Sequence, residues 1–249
     1  MMDGEIPEDG LDALRKELDL TQIMRLIERT ARWVDPATFQ LLPLWYPEYA
    51  RGTYLFNADW SAPRMNTNRQ TKESTRKREG NVSASNALTS ALGMRSDDRP
   101  NWSCCHIWGV DDDKYQVANV VIQDRRYFSC VANMVLLPSP LKAFTDAMIE
   151  VKAMLRICAR NLYGWHCDHE ELKSAVALID KWHDWDAYPV SWPRQMNDPF
   201  PMGVVQLNDA IRSTAARRRE KIRLDLATAG KFYPRAEVKA VLAHWKIEL

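Results

Sequence analysis

NWSCCHIWG at residues 101–109, followed after a polar interval by RRYFSCVANMVLLPSPLKAFTD at residues 125–146, is the stretch on which the fold turns. The β-branched and aromatic residues of 102–108 predict a strand that carries His106 near its end. Residues 111–114 read as a turn or loop. VANVVI, within 116–123, predicts a second strand, and 127–137 predicts a third, with Asn133 inside it. Pro138 and Pro140 suit the first turn of a helix, where a missing N–H costs nothing. From 141 to 163 apolar residues recur at helical spacing (Phe144, Met148, Val151, Leu155, Cys158, Leu162), and Gly164 is a natural stop.

Outward from this centre the chain is mostly helical. Residues 1–10 are polar and read as frayed. Leu11, Leu14, Leu18, Ile23, Ile27 and Val34 predict an amphipathic helix over 11–34, which Asp35-Pro36 ends or redirects. Residues 39–60 are aromatic. Pro43 and Pro47 interrupt them, leaving room for a short strand at 53–56. The basic segment 64–80 lacks large apolar residues and reads as a loop or a solvated helix. Further helices are expected at 82–92, 170–182, 206–229 and 235–245, with an irregular Pro-rich segment at 184–202. No internal repeat is visible. The expected class is α+β, mainly helical, with a small antiparallel β-hairpin and a crossing helix. Three segments follow, 1–100, 101–165 and 166–249, packed as one body.

Composition narrows the partners. The chain has 249 residues and a net charge of +1, so any nucleic-acid contact must come from local clusters rather than from the whole surface. Five cysteines, an odd number without framework spacing, argue against a secreted disulfide fold and for buried thiols. The acidic N-terminus is unlike a signal peptide, and no apolar run reaches the ~18 residues of a membrane span. A cytoplasmic protein is expected, with no membrane partner. No G-x-S-x-G, P-loop or H-E-x-x-H motif is present.

Histidine is the side chain most readily poised to take a proton near neutral pH, so His106 is a candidate general base. Taken alone, it reads more readily as an inert, hydrogen-bonded core histidine. Asn133 can tie a loop's backbone together and fix the angle between hairpin and helix. His183 and Asp184 are adjacent but lack a third partner, and no catalysis is assigned to them.

The order CHIWG, then ANMVLLP, then PLKAFTD resembles the HNH, or ββα-metal, endonuclease family, over roughly 101–165. The pattern is similar to an uncharacterised bacterial subgroup of that family. The resemblance implies a catalytic His106 at a strand end, a loop-fixing Asn133, and a helix that completes the finger. It also implies a divalent cofactor, Mg²⁺ first, with Mn²⁺, Ni²⁺ or Zn²⁺ as alternatives. Two positions depart from the family pattern. Cys105 stands where many members place an Asp or His before the base. Lys142 stands where a His or Asn ligand is common. Asp146, one helical turn beyond Lys142, and Asp124 are the candidate oxygen ligands in their place. Cys105 would suit a softer ion. A structural zinc site would need Cys104, Cys105, Cys130, Cys167 and His169 to converge through folding, since the chain has no CxxC pair.

The same resemblance implies phosphodiester hydrolysis in DNA, in restriction or phage defence, by a homodimer or within a larger defence complex. Lys142 and Arg126 would neutralise phosphate oxygens. The basic clusters at Arg76, Lys77 and Arg78 and at Arg217 and Arg218 would track the backbone. Each such run is also readable as a solvated face. An alternative is a catalytically inactive nucleic-acid-binding or protein-interaction subunit, with the tryptophan-rich segments, such as 182–192, as interface or core.

Overall fold

A computed structural model describes residues 10–112, 116–182 and 185–249. The readings of the first nine residues, and of His183 and Asp184, fall outside that set. In chain order the elements are α1 (Gly10–Glu17), α2 (Leu20–Thr30), β1 (Trp33–Val34), α3 (Pro36–Leu41), β2 (Met65–Thr67), β3 (Ser74–Arg76), α4 (Val82–Ala91) and β4 (Trp102–His106). They continue with α5 (Arg125–Phe128), β5 (Met134–Pro138), α6 (Lys142–Ala147), α7 (Ile149–Tyr163), α8 (Lys173–Asp180), β6 (Val204–Val205), α9 (Asp209–Thr228) and α10 (Arg235–His244). Helices account for about 48% and strands occur only in pairs, which makes the class α+β.

The central unit is strand, strand, helix. β4 and β5 are antiparallel, with Cys105 opposite Val135 and His106 opposite Met134. β5 is buried along Met134–Leu137, as a strand covered on both faces must be. Its other edge is met by Arg32, whose N–H and carbonyl bond the Leu136 backbone at 2.9 and 3.1 Å. The following α6 lies against β4. β1 pairs in parallel with β6, Trp33 beside Val204.

Several expectations require correction. The residues read as a second strand form only a 3-10 turn, Val120–Gln123, whose Val121 and Ile122 are buried by packing rather than by pairing. Most of the third predicted strand is helix α5, capped by Asp124, and a 3-10 turn at Val131–Asn133; extended structure starts only at Met134. The long helix over 141–163 is two, because Met148 is extended (ψ 111°) between α6 and α7. The helix over 11–34 is two helices, α1 and α2, followed by strand β1 at Trp33–Val34. Asp19 accepts the Gln22 N–H at 2.7 Å and Gln22 returns the bond at 2.9 Å, a reciprocal cap that restarts the chain as α2. The basic segment 64–80 is neither loop nor helix but the β2–β3 hairpin.

The main core draws on all three expected segments, through Trp33, Trp108 and Trp192 among others. A smaller cluster gathers Trp60, Ile222, Tyr233, Val238 and Leu242. Much of the chain's tryptophan is therefore core, and Trp192 meets Trp33 edge to face at 5.6 Å. Among the described residues no helix is long and apolar enough to cross a membrane.

Candidate functional site

His106 ends β4 and lines a cavity of about 300 Å³, together with Arg51, Cys105, Lys142, Asp146 and Lys152. Its Nε2 lies 2.9 Å from the Phe128 carbonyl. A carbonyl only accepts, so Nε2 carries the proton and Nδ1 keeps its lone pair. The imidazole also stacks on the Phe128 ring, 5.8 Å between centroids. Burial, with Arg51 and Lys142 adding to it against the Phe128 carbonyl and Asp146, depresses the His106 pKa to about 4. At neutral pH this is an oriented, unprotonated base.

Asn133 and Arg156 hold the chain leaving His106. The fully buried Asn133 accepts the Trp108 N–H at 2.7 Å, donates to the Tyr127 carbonyl at 3.1 Å, and accepts the Ile107 N–H on its own carbonyl at 2.9 Å. It thus ties the end of β4 to α5 and to the start of β5. From the other side Arg156 of α7, 1% exposed, donates to the carbonyls of Ile107 (3.2 Å) and Gly109 (2.6 Å) and makes a bidentate pair with Asp111 at 2.8 Å. Lys152, one turn earlier, approaches Asp111 at 3.6 Å, and burial lowers its pKa. Neither Arg156 nor Lys152 stood out in the sequence. The signal was there: two cations four residues apart, each next to an apolar position of the buried α7 line.

The cavity brings four of the sequence-predicted residues together: His106, Cys105, Lys142 and Asp146. Lys142 and Asp146 stand four apart on α6 and form an ion pair. Arg51, Lys152, Asp112, Asn81 and Asn119 also line the wall and were not anticipated.

The remaining expectations do not converge there. Asp124 caps α5 and is held by Arg126 at 2.6 Å; both face a different recess, shared with Glu237 of α10. Neither acts on the His106 cavity. Arg218 is partly buried, pairs with the buried Glu48, donates to the Trp45 carbonyl at 2.6 Å and lies 4.4 Å from the Tyr46 ring centroid, so its guanidinium ties α9 to the core instead of standing free for phosphate. Arg217 stays exposed and bonds Ser213 and Thr214 on its own helix. Arg78 is turned back onto Gly52 and Tyr54, whereas Lys77 is exposed.

The donor set bears on the implied cation. All five cysteines are buried and free, and burial pushes the Cys105 thiol up to about 12. Among the described residues no three His, Cys, Asp or Glu side chains form a metal-holding group. A structural zinc site does not fit. Mg²⁺ asks for less, since it keeps most of its waters and takes one or two carboxylates plus substrate phosphate. Asp146 and Asp112 are the carboxylates on the cavity wall, the first paired with Lys142 and the second accepting the Val117 N–H.

Comparisons of the chain with protein-family models, with curated proteins and with solved structures found no match in any of the three.

Proposed function

We propose that the chain is a metal-dependent, HNH-like endonuclease that hydrolyses phosphodiester bonds in DNA, with His106 as general base. Restriction or phage defence is the proposed setting. The observation that carries the reading is the locked imidazole. With Nε2–H given to the Phe128 carbonyl, Nδ1 is the only ring atom left to take a proton from water, and His106 lines a cavity edged by Arg51, Lys142 and Lys152. Those cations supply positive charge where a phosphorane gains negative charge. Asp146, with Asp112, would hold the divalent ion, which when bound contributes Lewis-acid stabilisation of the phosphate. Asn133 and Arg156 keep the base in register without touching substrate.

One observation favours a second reading, binding without cutting: Asp146 is already engaged by Lys142. Plasmid cleavage with Mg²⁺ and Mn²⁺, with an EDTA control, separates the two for wild type, His106→Ala and Asp146→Asn. Metal-dependent nicking lost in both variants supports the nuclease. DNA retention with no nicking by wild type in either metal, on modified or unmodified DNA, overturns it in favour of the binding protein.

A further inference from the structure

The β2–β3 hairpin stands apart from the rest of the fold. Every residue from 64 to 78 is exposed, so the ribbon buries neither face. A two-stranded ribbon without a packed face is marginal in water. Local bonds hold this one. Thr67 and Ser74 join their hydroxyls at 2.9 Å across the strands, and Asn68 Oδ1 accepts the N–H groups of Gln70 and Thr71 at the tip. At its base the ribbon gains a third edge, where Leu55 N–H donates to Lys77 O at 2.9 Å and Arg64 N–H to Leu55 O at 2.8 Å.

Its charge is one-sided. Arg64, Arg69, Lys72, Arg76, Lys77 and Arg78 face only Glu73 within the ribbon. None of the ion pairs among the described residues involves these six cations. Lys77 N–H bonds Arg64 O at 2.8 Å and continues the Met65–Arg76 register, which sets Arg64 directly opposite Lys77. Like charges facing across a strand pair destabilise it. The root of the ribbon lies close to the site in the chain: Gly52 N–H donates to Glu79 O at 2.8 Å, and Arg51, next to Gly52, and Asn81, two residues past Glu79, line the His106 cavity.

We infer that this ribbon is an arm that enters the major groove of B-form DNA and delivers the duplex to the His106 cavity. The inference rests on the nuclease reading for the purpose of the arm, but not for its binding. A two-stranded ribbon fits the wide major groove of B-DNA, whereas the deep, narrow major groove of duplex RNA excludes it. The paired phosphates on either side then neutralise the facing cations.

The experiment is fluorescence anisotropy in EDTA, where nothing can be cut. Duplex DNA is compared with duplex RNA of the same sequence and with single strands, for wild type, the double variant Arg64→Gln/Lys77→Gln and the control Lys173→Gln. Duplex DNA is expected to bind tightest. The double variant should lose affinity about tenfold and lower the salt slope by about 2, with a melting temperature equal to or above wild type because a repulsion has been removed. Lys173→Gln, which removes an exposed cation outside both the ribbon and the cavity, should bind as wild type does. Equal affinity for duplex RNA, or an unchanged affinity and slope in a folded double variant, overturns the arm. Ribbon-dependent DNA binding by a protein that cuts nothing supports the arm and removes only the catalytic reading.

Discussion

Asn133 Oδ1 accepts the Trp108 N–H at 2.7 Å, and through that bond a residue at the mouth of β5 sets the course of the chain two residues beyond His106. Asn133→Ala would leave a buried Trp108 N–H without its acceptor and would remove one donor from the Tyr127 carbonyl, which keeps the Cys130 N–H at 3.3 Å. The expected cost is about 2–3 kcal/mol in urea denaturation. Activity should fall further than stability alone explains, because the imidazole loses its fixed approach. A loss below about 0.5 kcal/mol would show that the tie is dispensable.

His106 makes stability depend on pH in a defined direction. Its pKa falls from the ordinary 6.5 to about 4 on folding, so between those values the unfolded chain holds a proton that the folded chain does not. Acidification through that window therefore favours unfolding, by about 3 kcal/mol in the limit, and the contribution is present in full above pH 6.5. The urea midpoint of wild type should drop between pH 6.5 and 4 by more than that of His106→Gln. Cleavage, if it uses this base, should hold its rate down to about pH 5 instead of declining from 6.5. Parallel pH curves for the two proteins would dismiss the buried-base assignment.

Neighbouring arginines on α9 should behave in opposite ways. Arg218→Ala strands the buried Glu48 carboxylate and is expected to destabilise by about 3–5 kcal/mol. Arg217→Ala removes an exposed side chain and should stay within about 0.5 kcal/mol. Thermal denaturation of the two variants side by side tests this, and similar losses would contradict the role of Arg218 as the partner of buried Glu48.

The thiols should be silent. Cys105 and Cys167 are each raised to about 12 by burial. A disulfide reagent at pH 8 should leave the folded protein nearly unlabelled and label all five positions after denaturation. Cys105→Ser should keep any Mg²⁺-dependent activity, and rapid labelling of native Cys105 would revive the thiolate ligand.

What the sequence made legible was β4, with its terminal histidine; Asn133, read inside a strand, instead ends a 3-10 turn just before β5. The rest was hidden for specific reasons. VANVVI carries strand propensity, yet both edges of β5 are taken, by β4 and by Arg32, so Val121 and Ile122 are buried in a turn instead. Asp124 before RRYF was a readable helix cap, obscured by the aromatic and β-branched residues that follow it. The 64–78 ribbon escaped because neither face is apolar, which removes the period-two signal on which strand reading depends. Arg218 was counted with Arg217 because a run of three arginines gives no hint that Arg218 and Arg219 turn inward, to Glu48 and to the Leu41 carbonyl, while Arg217 stays exposed. Of the site, the base and the α6 pair were visible in sequence. Arg51 and Lys152 reach the cavity only through tertiary contacts.

The pairing of β1 with β6 also sets a schedule for synthesis. Trp33, wholly buried in the finished protein, sits beside Val204. At ~5–20 residues per second a ribosome needs on the order of 10–30 s to travel from one to the other. Throughout that interval the nascent chain carries an indole-bearing strand whose partner has not been made. A release of the chain before residue 204 leaves that edge open, so premature termination products should be the species that chaperones hold and proteases clear.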